Sequence, residues 1–472
     1  MLKGSASPWR LPVLLASLCL ACTAPAQLQQ LASQGTRPLT ADGITVWFNH
    51  RATTHYLSPL SGLQRPGDDL EALLLEAIET AQVSVDMAVQ EISLPAIADA
   101  LIARHRAGVA VRVVLEDSYA DSWSQQDPAQ LDKNQRYRWR RLWRLADRDG
   151  DTTITAEEAR RGDAVRLLRE AGVPLLDDRA DGSAGSDLMH HKFVVVDGRQ
   201  VITGSANFSS SGIHGDAGRP RTRGNVNHMV AIDSQQLAAA FREQFEQLWG
   251  DGPGGAPDSR FGRGKLRHRS ITLQQPQGSG LTLQFSPHGR NDDVDGLDLI
   301  AAALDQARER IDLALFVFSA QPLADALQRA SQRGVTIRLL MDPGFLARPF
   351  SEALDLLGLE RPDHRCVVEP GNRPWAQPLL TVGSPRLARG DKLHHKFAVI
   401  DGETVITGSF NWSDSAAYAN DETLLLIRNA RIAAQFSEEF QQLWRTAQLG
   451  LRERDAQRLK ADRRRCGLPD TF

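Results

Sequence analysis

Short runs of apolar, largely β-branched residues alternate with longer amphipathic stretches along this chain. Residues 83–89 and 109–115 are rich in valine and predict strands, and residues 94–106 between them predict a helix. Farther along, residues 193–203 predict two strands joined by a turn at an Asp-Gly pair. Strands that alternate with helices are typical of a mixed α/β sheet that helices cover on both faces.

This pattern occurs twice. Residues 86–116 match residues 312–342 in the order and spacing of their apolar and charged positions, and His-His-Lys-Phe at 190–193 is repeated at 394–397. The first copy carries about 22 extra residues before this motif and about nine after it. Insertions inside a duplicated unit usually form surface loops, so the repeat predicts two lobes of one fold, the first with additional loops.

The two lobes are predicted to span residues 43–250 and 280–447. Between them, residues 251–279 are rich in glycine and proline and then basic, which is typical of a linker. Residues 448–472 predict a charged C-terminal tail, and the larger insertion of the first lobe covers residues 120–165. The predicted fold class is α/β, with two similar lobes whose mixed β-sheets are flanked by helices.

The N-terminus has the features of an export signal. Lys3 and Arg10 precede an apolar run at residues 11–21, and a following Ala-Pro-Ala supplies small residues for cleavage. This pattern predicts a signal peptide over residues 1–26 and a periplasmic or secreted protein. The alternatives are a lipid anchor at Cys22 and a buried N-terminal helix, and no amphipathic period follows to support the helix.

Charge and cysteine content narrow the classes further. The 472 residues carry a formal net charge of −3, so no overall positive field draws the chain to nucleic acid. A hydrophobic content of 42% fits a globular protein, and the single long apolar run is too short for a multi-pass membrane protein. Cys366 and Cys466 remain after signal removal, and an oxidising compartment would allow them to pair.

The repeated motif carries the candidate chemistry. In each copy a histidine and a lysine lie two residues apart on a predicted strand, so both side chains point to one face. A Gly-Ser-x-Asn segment follows and can return to that face through the next strand. The two sets are His190, Lys192, Asp197, Ser205 and Asn207, and His394, Lys396, Asp401, Ser409 and Asn411.

Two such sets around one anion suit a phosphodiester. Lysines and amides would bind the non-bridging oxygens, one histidine would attack phosphorus, and the other would protonate the leaving oxygen. The lysines supply positive charge, so catalysis is predicted to need no cofactor. A single copy fits a strand with a buried histidine equally well, whereas two spaced copies favour catalysis.

The motifs resemble those of the phospholipase D superfamily, whose signature is His-x-Lys-x4-Asp followed by Gly-Ser-x-Asn. The resemblance covers residues 43–444 and implies a pseudo-twofold arrangement with one active site formed within one chain. It also implies a phosphohistidine intermediate, with His190 and His394 as nucleophile and general acid, and family habit favours the N-terminal one as nucleophile. Phosphate-binding roles pass to Lys192, Asn207, Ser205, Lys396, Asn411 and Ser409, while Asp197 and Asp401, although part of the catalytic motif, are expected to support it rather than donate protons.

The same resemblance implies a carboxylate that orients a histidine. Glu422 lies at the family's position after His394 and is therefore assigned to His394, whereas the matching position of the first half is Asn227. An amide cannot stabilise an imidazolium as a carboxylate can, so His394 is expected to be the more basic histidine.

The insertion contains a second motif, at residues 147–158, that resembles an EF-hand calcium loop. Thr152 stands where such loops normally have glycine. We expect any bound Ca²⁺ to be structural or regulatory, and the alternative is an acidic capped turn. The candidate ligands are Asp147, Asp149, Asp151, Thr153, Thr155 and Glu158.

Arginine-rich segments offer further contacts. Residues 136–144 alternate arginines with aromatic residues and predict either a helix packed on its own lobe or a surface for phosphates, bases or lipid headgroups. Arg219, Arg221 and Arg223 either bind a second phosphate or form a solvated loop.

Three functions fit these features. The first is an exported phospholipase D that hydrolyses glycerophospholipids to phosphatidic acid at a membrane surface. The second is a secreted endonuclease that cleaves DNA or RNA with the same residues. The third is a calcium-binding surface protein with an inactive catalytic fold, which the complete paired motifs disfavour. None of these implies an obligate protein partner.

Overall fold

The computed structural model describes, apart from Met1, residues 38–469 except 180–186, 217–218, 220, 267–268 and 277. The predicted signal peptide and Cys22 therefore lie outside the described residues, save for Met1. In the part of the chain that is described, no helix combines the length and apolar character needed to cross a bilayer.

The first lobe is built on an eight-stranded sheet with the strand order β1-β2-β10-β9-β8-β5-β6-β7, beside a two-stranded hairpin of β3 and β4. Its strands are β1 (Thr40–Ala41), β2 (Ile44–Phe48), β3 (His55–Leu57), β4 (Gln64–Pro66), β5 (Ser84–Val89), β6 (Ala110–Leu115), β7 (Leu175–Asp177), β8 (Lys192–Val196), β9 (Gln200–Gly204) and β10 (His228–Asp233).

Helices cover both faces of this sheet. They are α1 (Leu70–Thr80), α2 (Pro95–Arg106), α3 (Asp117–Ala120), α4 (Lys133–Ala146), α5 (Ala156–Arg161), α6 (Ala164–Glu170), α7 (Ser210–Ile213) and α8 (Gln235–Trp249). Strands β5, β6 and β7 run parallel to one another, and β8, β9 and β10 pair antiparallel. The predicted strand-helix-strand unit is thus confirmed as β5, α2 and β6, and the predicted pair of strands as β8 and β9.

The second lobe repeats this plan with nine strands in the order β11-β12-β18-β17-β16-β13-β14-β15-β19. The strands are β11 (Ile271–Gln274), β12 (Gly280–Ser286), β13 (Arg310–Leu315), β14 (Thr336–Met341), β15 (Val382–Ser384), β16 (Lys396–Ile400), β17 (Thr404–Gly408), β18 (Glu422–Arg428) and β19 (Gln448–Leu449). The helices are α9 (Gly296–Asp305), α10 (Gln321–Gln332), α11 (Glu352–Leu356), α12 (Asp414–Tyr418), α13 (Ala430–Trp444) and α14 (Glu453–Arg465). The predicted fold class is confirmed.

Two segments are more ordered than their composition indicates. The predicted linker contains β11, which pairs antiparallel with β12 and so extends the sheet of the second lobe. The predicted C-terminal tail contains β19, which pairs with β15, and α14, which ends at a disulfide between Cys366 and Cys466. Both segments are built into the second lobe.

A shared apolar core joins the lobes. Phe48 of β2 packs edge-on against Phe436 of α13, with ring centroids 5.1 Å apart, and Phe241 of α8 packs in the same way against Phe285 of β12. All four are buried in one cluster that draws residues from both sheets. Burial of this cluster holds the two repeated motifs face to face.

Candidate active site

The two motif strands occupy equivalent places in the two sheets. Strand β8 begins at Lys192 and β16 begins at Lys396. Each motif histidine lies two residues before the first residue of its strand. Each lysine Nζ donates a hydrogen bond of 2.8 Å to the carbonyl oxygen of its own histidine, His190 or His394. This bond agrees with the predicted alternation of side chains, in which the ammonium group of the lysine and the imidazole of the histidine lie on the same side of the strand.

Backbone bonds between the lobes bring the histidines together. The N–H of His190 donates to the carbonyl of Asp421, at 2.9 Å, and the N–H of His394 donates to the carbonyl of Val226, at 3.0 Å. Each histidine is thus positioned by the lobe that does not contain it. Both are buried, and the charges of both motif lysines act on each imidazole, so the two sets form one site within one chain.

The carboxylate of Glu422 binds His190, whereas the sequence had assigned it to His394. Nδ1 of His190 donates to Oε2 of Glu422 at 2.7 Å, and Ser409 Oγ and Asn420 Nδ2 also donate to this fully buried carboxylate. The assignment of Glu422 to His394 is therefore wrong. It failed because the orienting strand of each lobe crosses the interface and reaches the histidine of the other lobe.

His394 is oriented by an amide instead. Its Nδ1 lies 2.9 Å from Oδ1 of Asn227 and 3.1 Å from the carbonyl oxygen of Ser205. Asn227 is held in turn by Ser205 Oγ, which donates to Oδ1, and by its own Nδ2, which donates to the carbonyl of Gly212. No carboxylate among the described residues opposes the loss of positive charge on His394.

The expectation that His394 is the more basic histidine is also wrong. Burial lowers the pKa of His190 to about 4, and the nearby Glu422 carboxylate limits that fall. Burial and the positive charges of Lys396 and Lys192 lower the pKa of His394 well below its usual value, with no such compensation. His190 therefore has the stronger tendency to carry positive charge.

The motif serines form hydrogen bonds with the side chains that orient the histidines. Ser409 Oγ donates to Glu422 at 2.6 Å, and Ser205 Oγ donates to Asn227 at 2.8 Å. Both hydroxyls also accept a backbone N–H of the adjacent strand. The predicted phosphate-binding role of both serines is thus replaced by a positioning role, since their hydrogen bonds lead to the orienting side chains.

The preceding glycines make this arrangement possible. A Cβ on Gly204 would lie 2.3 Å from the carbonyl oxygen of His228, and a Cβ on Gly408 would lie 2.2 Å from that of Thr423. Only glycine permits this close approach of β9 to β10 and of β17 to β18.

Lysine and asparagine side chains supply the polar groups around the reacting position. Burial lowers the pKa of Lys192 to about 7, opposed by the negative charges of Glu422 and Glu91, and burial and Lys192 lower the pKa of Lys396 well below its usual value. Asn207 Nδ2 donates to Gln90, and the buried Oδ1 atoms of Asn207 and Asn411 have no partner among the described residues. A bound anion would favour the charged form of both lysines.

Comparison with known proteins identifies this arrangement. The chain matches the family model described as the cardiolipin synthase, PLD-like domain, over residues 74–249 and 300–444, more than half of its length. The chain belongs to the phospholipase D superfamily. The two matched segments correspond to its two lobes.

Curated relatives resemble part of this chain. The mitochondrial cardiolipin hydrolase of Homo sapiens is 32% identical over 158 residues, which are 34% of this chain and 53% of that protein. The Mus musculus protein of the same name is 30% identical over 34% of this chain and 60% of its own length. The chain thus matches between half and two thirds of the length of these curated relatives.

Phosphatidylserine synthase of Haemophilus influenzae Rd KW20 is 12% identical, with a TM-score of 0.53, over 94% of this chain and 99% of that chain. It shows that the two-lobed fold is shared over nearly the whole length. Nuc of Salmonella typhimurium, a phospholipase D family member, is 23% identical with a TM-score of 0.29, over 37% of this chain and all of its own.

The aspartates of the two phospholipase D motifs lie at turns outside the catalytic pocket. Asp197 accepts backbone N–H groups of Gln82, Val83 and Ser84, directly before β5. Asp401 accepts the equivalent N–H groups of residues 308–310 before β13. Their inclusion among the catalytic residues is corrected by this position, and the expectation that they support the motif is confirmed.

Sequence reasoning missed the residue that follows β5 in the first lobe and the residue that follows β13 in the second. Gln90 follows β5 and accepts from both Lys192 Nζ, at 3.3 Å, and Asn207. At the matching position after β13 stands Phe316, whose ring centroid is 4.6 Å from that of His394. The signal was present in the alignment of the two copies, where these positions differ in polarity next to a matched strand.

Helix α4 packs against other residues of the insertion, and ion pairs with Glu91 join it to the rest of the first lobe. Trp139 of α4 donates to the carbonyl of Trp123, and Leu142 and Ala146 are buried against the same tryptophan. Arg138 forms an ion pair with Glu91, beside Gln90. The packed-helix interpretation of residues 136–144 is confirmed for this face.

The EF-hand-like loop gathers three carboxylates. Oxygen atoms of Asp147, Asp149 and Asp151 lie within 4.8 Å of one another. Glu158 instead accepts the N–H and hydroxyl of Thr155, which caps α5. Three aspartates fit a calcium site and the capped turn fits the alternative, so calcium binding at this loop stays a prediction.

Proposed function

We propose that this protein is an exported phospholipase D that hydrolyses glycerophospholipids at a membrane surface to phosphatidic acid and a free alcohol. The observation that carries this proposal is the pair of buried histidine–lysine sets that meet at the lobe interface, of which one histidine is bound by Glu422 and the other by Asn227. The names of the cardiolipin hydrolases that the chain resembles support a lipid substrate.

The first chemical step is assigned to His190 as nucleophile. With Nδ1–H donated to Glu422, the lone pair of Nε2 is free to attack phosphorus. The P–N bond forms while the bond from phosphorus to the leaving oxygen breaks. The leaving oxygen takes a proton from His394, so that it departs as a hydroxyl group rather than an alkoxide, and a phosphatidyl group remains on His190. Glu422 stabilises the positive charge that this intermediate places on the imidazole.

In the second step, water takes the place of the alcohol. Neutral His394 removes a proton from water, the water oxygen attacks phosphorus, and the P–N bond breaks. His190 recovers its lone pair, His394 is protonated again, and phosphatidic acid leaves. Lys192 and Lys396 stabilise the negative charge on the non-bridging oxygens in both steps. The bound phosphate anion also raises the pKa of His394, which provides the protonated acid for the first step.

Export is part of the same proposal. The predicted signal peptide supports it, and so does the disulfide between Cys366 and Cys466, because disulfides persist mainly in oxidising compartments. Fractionation of cells that express the whole chain would test this step, with N-terminal sequencing of the mature protein. A full-length protein recovered only from the cytoplasm would contradict export.

Transfer to an added alcohol tests the enzymatic function. Purified protein is incubated with phosphatidylcholine, phosphatidylglycerol and diphosphatidylglycerol vesicles in dilute ethanol, and lipid products are identified by mass spectrometry. We expect phosphatidic acid together with phosphatidylethanol, since ethanol competes with water for the intermediate. His190→Ala and His394→Ala should each abolish both products while circular dichroism stays unchanged.

Single-stranded DNA and RNA oligonucleotides serve as the opposing substrates. Cleavage of an oligonucleotide, with no product from any lipid, would contradict the lipid assignment and favour the endonuclease. Substantial activity in either histidine variant would contradict the two-histidine mechanism.

A further inference from the structure

An aromatic surface leads from one side of the site to the exterior, and we call it the aromatic wall. It consists of Phe316, Phe345 and Phe350. The ring centroid of Phe316 is 4.6 Å from that of His394 and 4.6 Å from that of Phe345. Phe345 is 6.4 Å from Phe350, which is 38% exposed. The wall is therefore continuous from a catalytic imidazole to the surface.

Besides the buried motif lysine Lys396, two exposed cations lie on this wall. Lys392 Nζ is 5.4 Å from the ring centroid of Phe316, and the guanidinium of Arg348 is 5.9 Å from that of Phe345. Both are exposed, and neither forms an ion pair with any residue that the structure describes. The buried carboxylate of Asp342 interacts with the charge of Lys392 and also accepts the N–H groups of Gly344 and Leu393. The wall thus presents apolar rings together with two exposed cations that form no ion pair with a described residue.

The first lobe has no such surface at the matching positions. Gln90 stands in place of Phe316 and is bonded to Lys192 and Asn207. Leu188 stands in place of Lys392. Beside Gln90, the carboxylate of Glu91 pairs with the insertion's arginines. The two sides of the phosphate position therefore differ in polarity and in charge.

The chemistry decides which part of the substrate meets the aromatic wall. In displacement at phosphorus, the nucleophile and the leaving oxygen lie on opposite sides of the phosphorus atom. With His190 as nucleophile, the leaving alcohol lies on the side of His394, next to Phe316. A leaving alcohol with a positive charge, such as choline, would meet the repulsion of Lys392 and Arg348, although aromatic rings alone would attract it.

We propose that the aromatic wall, with Lys392 and Arg348, binds the leaving alcohol and selects one that carries its own negative charge and an apolar portion. A second phosphodiester linked to acyl chains has this chemistry, as in the half of diphosphatidylglycerol that departs. The proposal rests on the proposed function and on the assignment of His394 as the acid. It adds the specificity of the site for one class of glycerophospholipid.

Three substrates separate the charge of the leaving group from the charge of the membrane. Diphosphatidylglycerol loses an anionic alcohol, phosphatidylglycerol loses neutral glycerol from an equally anionic surface, and phosphatidylcholine loses a cation. Each is presented in detergent micelles, and kcat/KM is measured from the phosphatidic acid formed. For the wild-type protein we expect kcat/KM to be at least about tenfold higher with diphosphatidylglycerol than with phosphatidylcholine, the effect of one favourable ionic contact.

Lys392→Leu introduces the residue type that stands at the matching position of the first lobe, Leu188. It should lower kcat/KM about tenfold for diphosphatidylglycerol and less than about twofold for phosphatidylglycerol. Lys133→Leu, which removes an exposed lysine at the start of α4, is the matched control and should leave all three values unchanged. Phe350→Ser should lower kcat/KM for diphosphatidylglycerol as well, because it shortens the apolar surface.

The outcomes separate this proposal from the function on which it rests. A preference for phosphatidylcholine, or an equal loss on all three lipids in Lys392→Leu, would overturn the selection by charge and leave the lipid function intact. No activity on any lipid would overturn both. In that event, cleavage of a single-stranded oligonucleotide that depends on Phe350 would assign the wall to nucleotide bases.

Discussion

At the scale of single residues, the two catalytic histidines differ chiefly in the atom that receives their Nδ1 proton. His190 donates to a buried carboxylate and His394 lies against an amide oxygen. A carboxylate stabilises the imidazolium-like charge of a phosphohistidine, whereas an amide leaves the other imidazole free to release its proton. The asymmetry therefore matches one histidine to the nucleophilic role and the other to the acid role.

Replacing this carboxylate is the direct test of the match. Glu422→Gln keeps the shape of the side chain and removes its charge, so we expect kcat to fall about a hundredfold or more. Rapid quenching should show that formation of the intermediate is the slowed step. Asn420→Ala, which removes a neighbouring donor to the same carboxylate, should have a much smaller effect. An unchanged kcat in Glu422→Gln would contradict the role of His190 as nucleophile.

The pH dependence of activity follows from the same buried groups. Lys192, whose pKa burial lowers to about 7, is charged below that pH, and His394, whose pKa is also lowered, must be protonated to act as the acid. The value of kcat/KM should therefore fall as the pH rises, at the latest above about 7. His190, whose pKa is about 4, must be neutral to attack, so kcat/KM should also fall below about pH 4. The alkaline fall of kcat should lie at higher pH, because bound phosphate favours the lysine cation. A kcat/KM that stays constant from pH 6 to about 9 would contradict this assignment.

At this scale the sequence predicted the reacting groups but not their partners. Alternation along a strand is a local property, and it placed His190 beside Lys192 correctly. The partner of His190 lies 232 residues away, on the other lobe, and its identity depends on how the lobes pack. Spacing along the chain could not supply that information, which is why Glu422 was assigned to the wrong histidine.

At the scale of elements, the motif aspartates fix where the central strands begin. Asp197 and Asp401 have left-handed backbones, with φ of 51° and 53°, and each carboxylate accepts several consecutive N–H groups. Burial acts to raise the pKa of Asp401, but these donors outweigh it and lower the pKa. The stabilising contribution is therefore present above the ordinary aspartate pKa of about 4 and is lost as the pH falls below it.

Asp401→Asn isolates this contribution, because asparagine tolerates a left-handed backbone. We expect the free energy of unfolding at pH 7 to fall by about 1 kcal/mol, since the site is largely open to solvent. The difference from wild type should shrink toward pH 3, while activity per folded molecule is kept. Urea unfolding at both pH values measures this, with Glu403→Gln on the same turn as control. A difference that grows at low pH would contradict the sign.

The regular elements were predictable because their signals are local. Valine-rich runs gave β5 and β6, and the helix between them followed from its length and composition. Strand β11 and helix α14 were not predicted, because they add to the edge of a sheet formed elsewhere and contain few buried apolar residues. Their order comes from pairing with β12 and from the disulfide, both of which are contacts between distant parts of the chain.

At the scale of the whole molecule, the disulfide closes a segment of 100 residues that includes the second motif. Cross-links of this kind usually contribute about 2–5 kcal/mol by restricting the unfolded chain. Replacing Cys366 and Cys466 together by serine should therefore lower the melting temperature, and dithiothreitol should lower that of the wild type but not that of the variant. Equal melting temperatures of the oxidised wild type and the variant would contradict a structural role.

The exchange of partners between the lobes bears on how such a protein can change over generations. In a symmetric pair of identical chains, one codon would specify the partner of both histidines, and any substitution would alter both at once. Here positions 227 and 422 are separate codons of one gene, as are positions 90 and 316, and each pair now differs. Because both copies lie in one chain, the residues around the nucleophilic histidine and those around the acid histidine can mutate separately. One copy could then specialise in binding the phosphoryl group while the other adapted to the leaving alcohol.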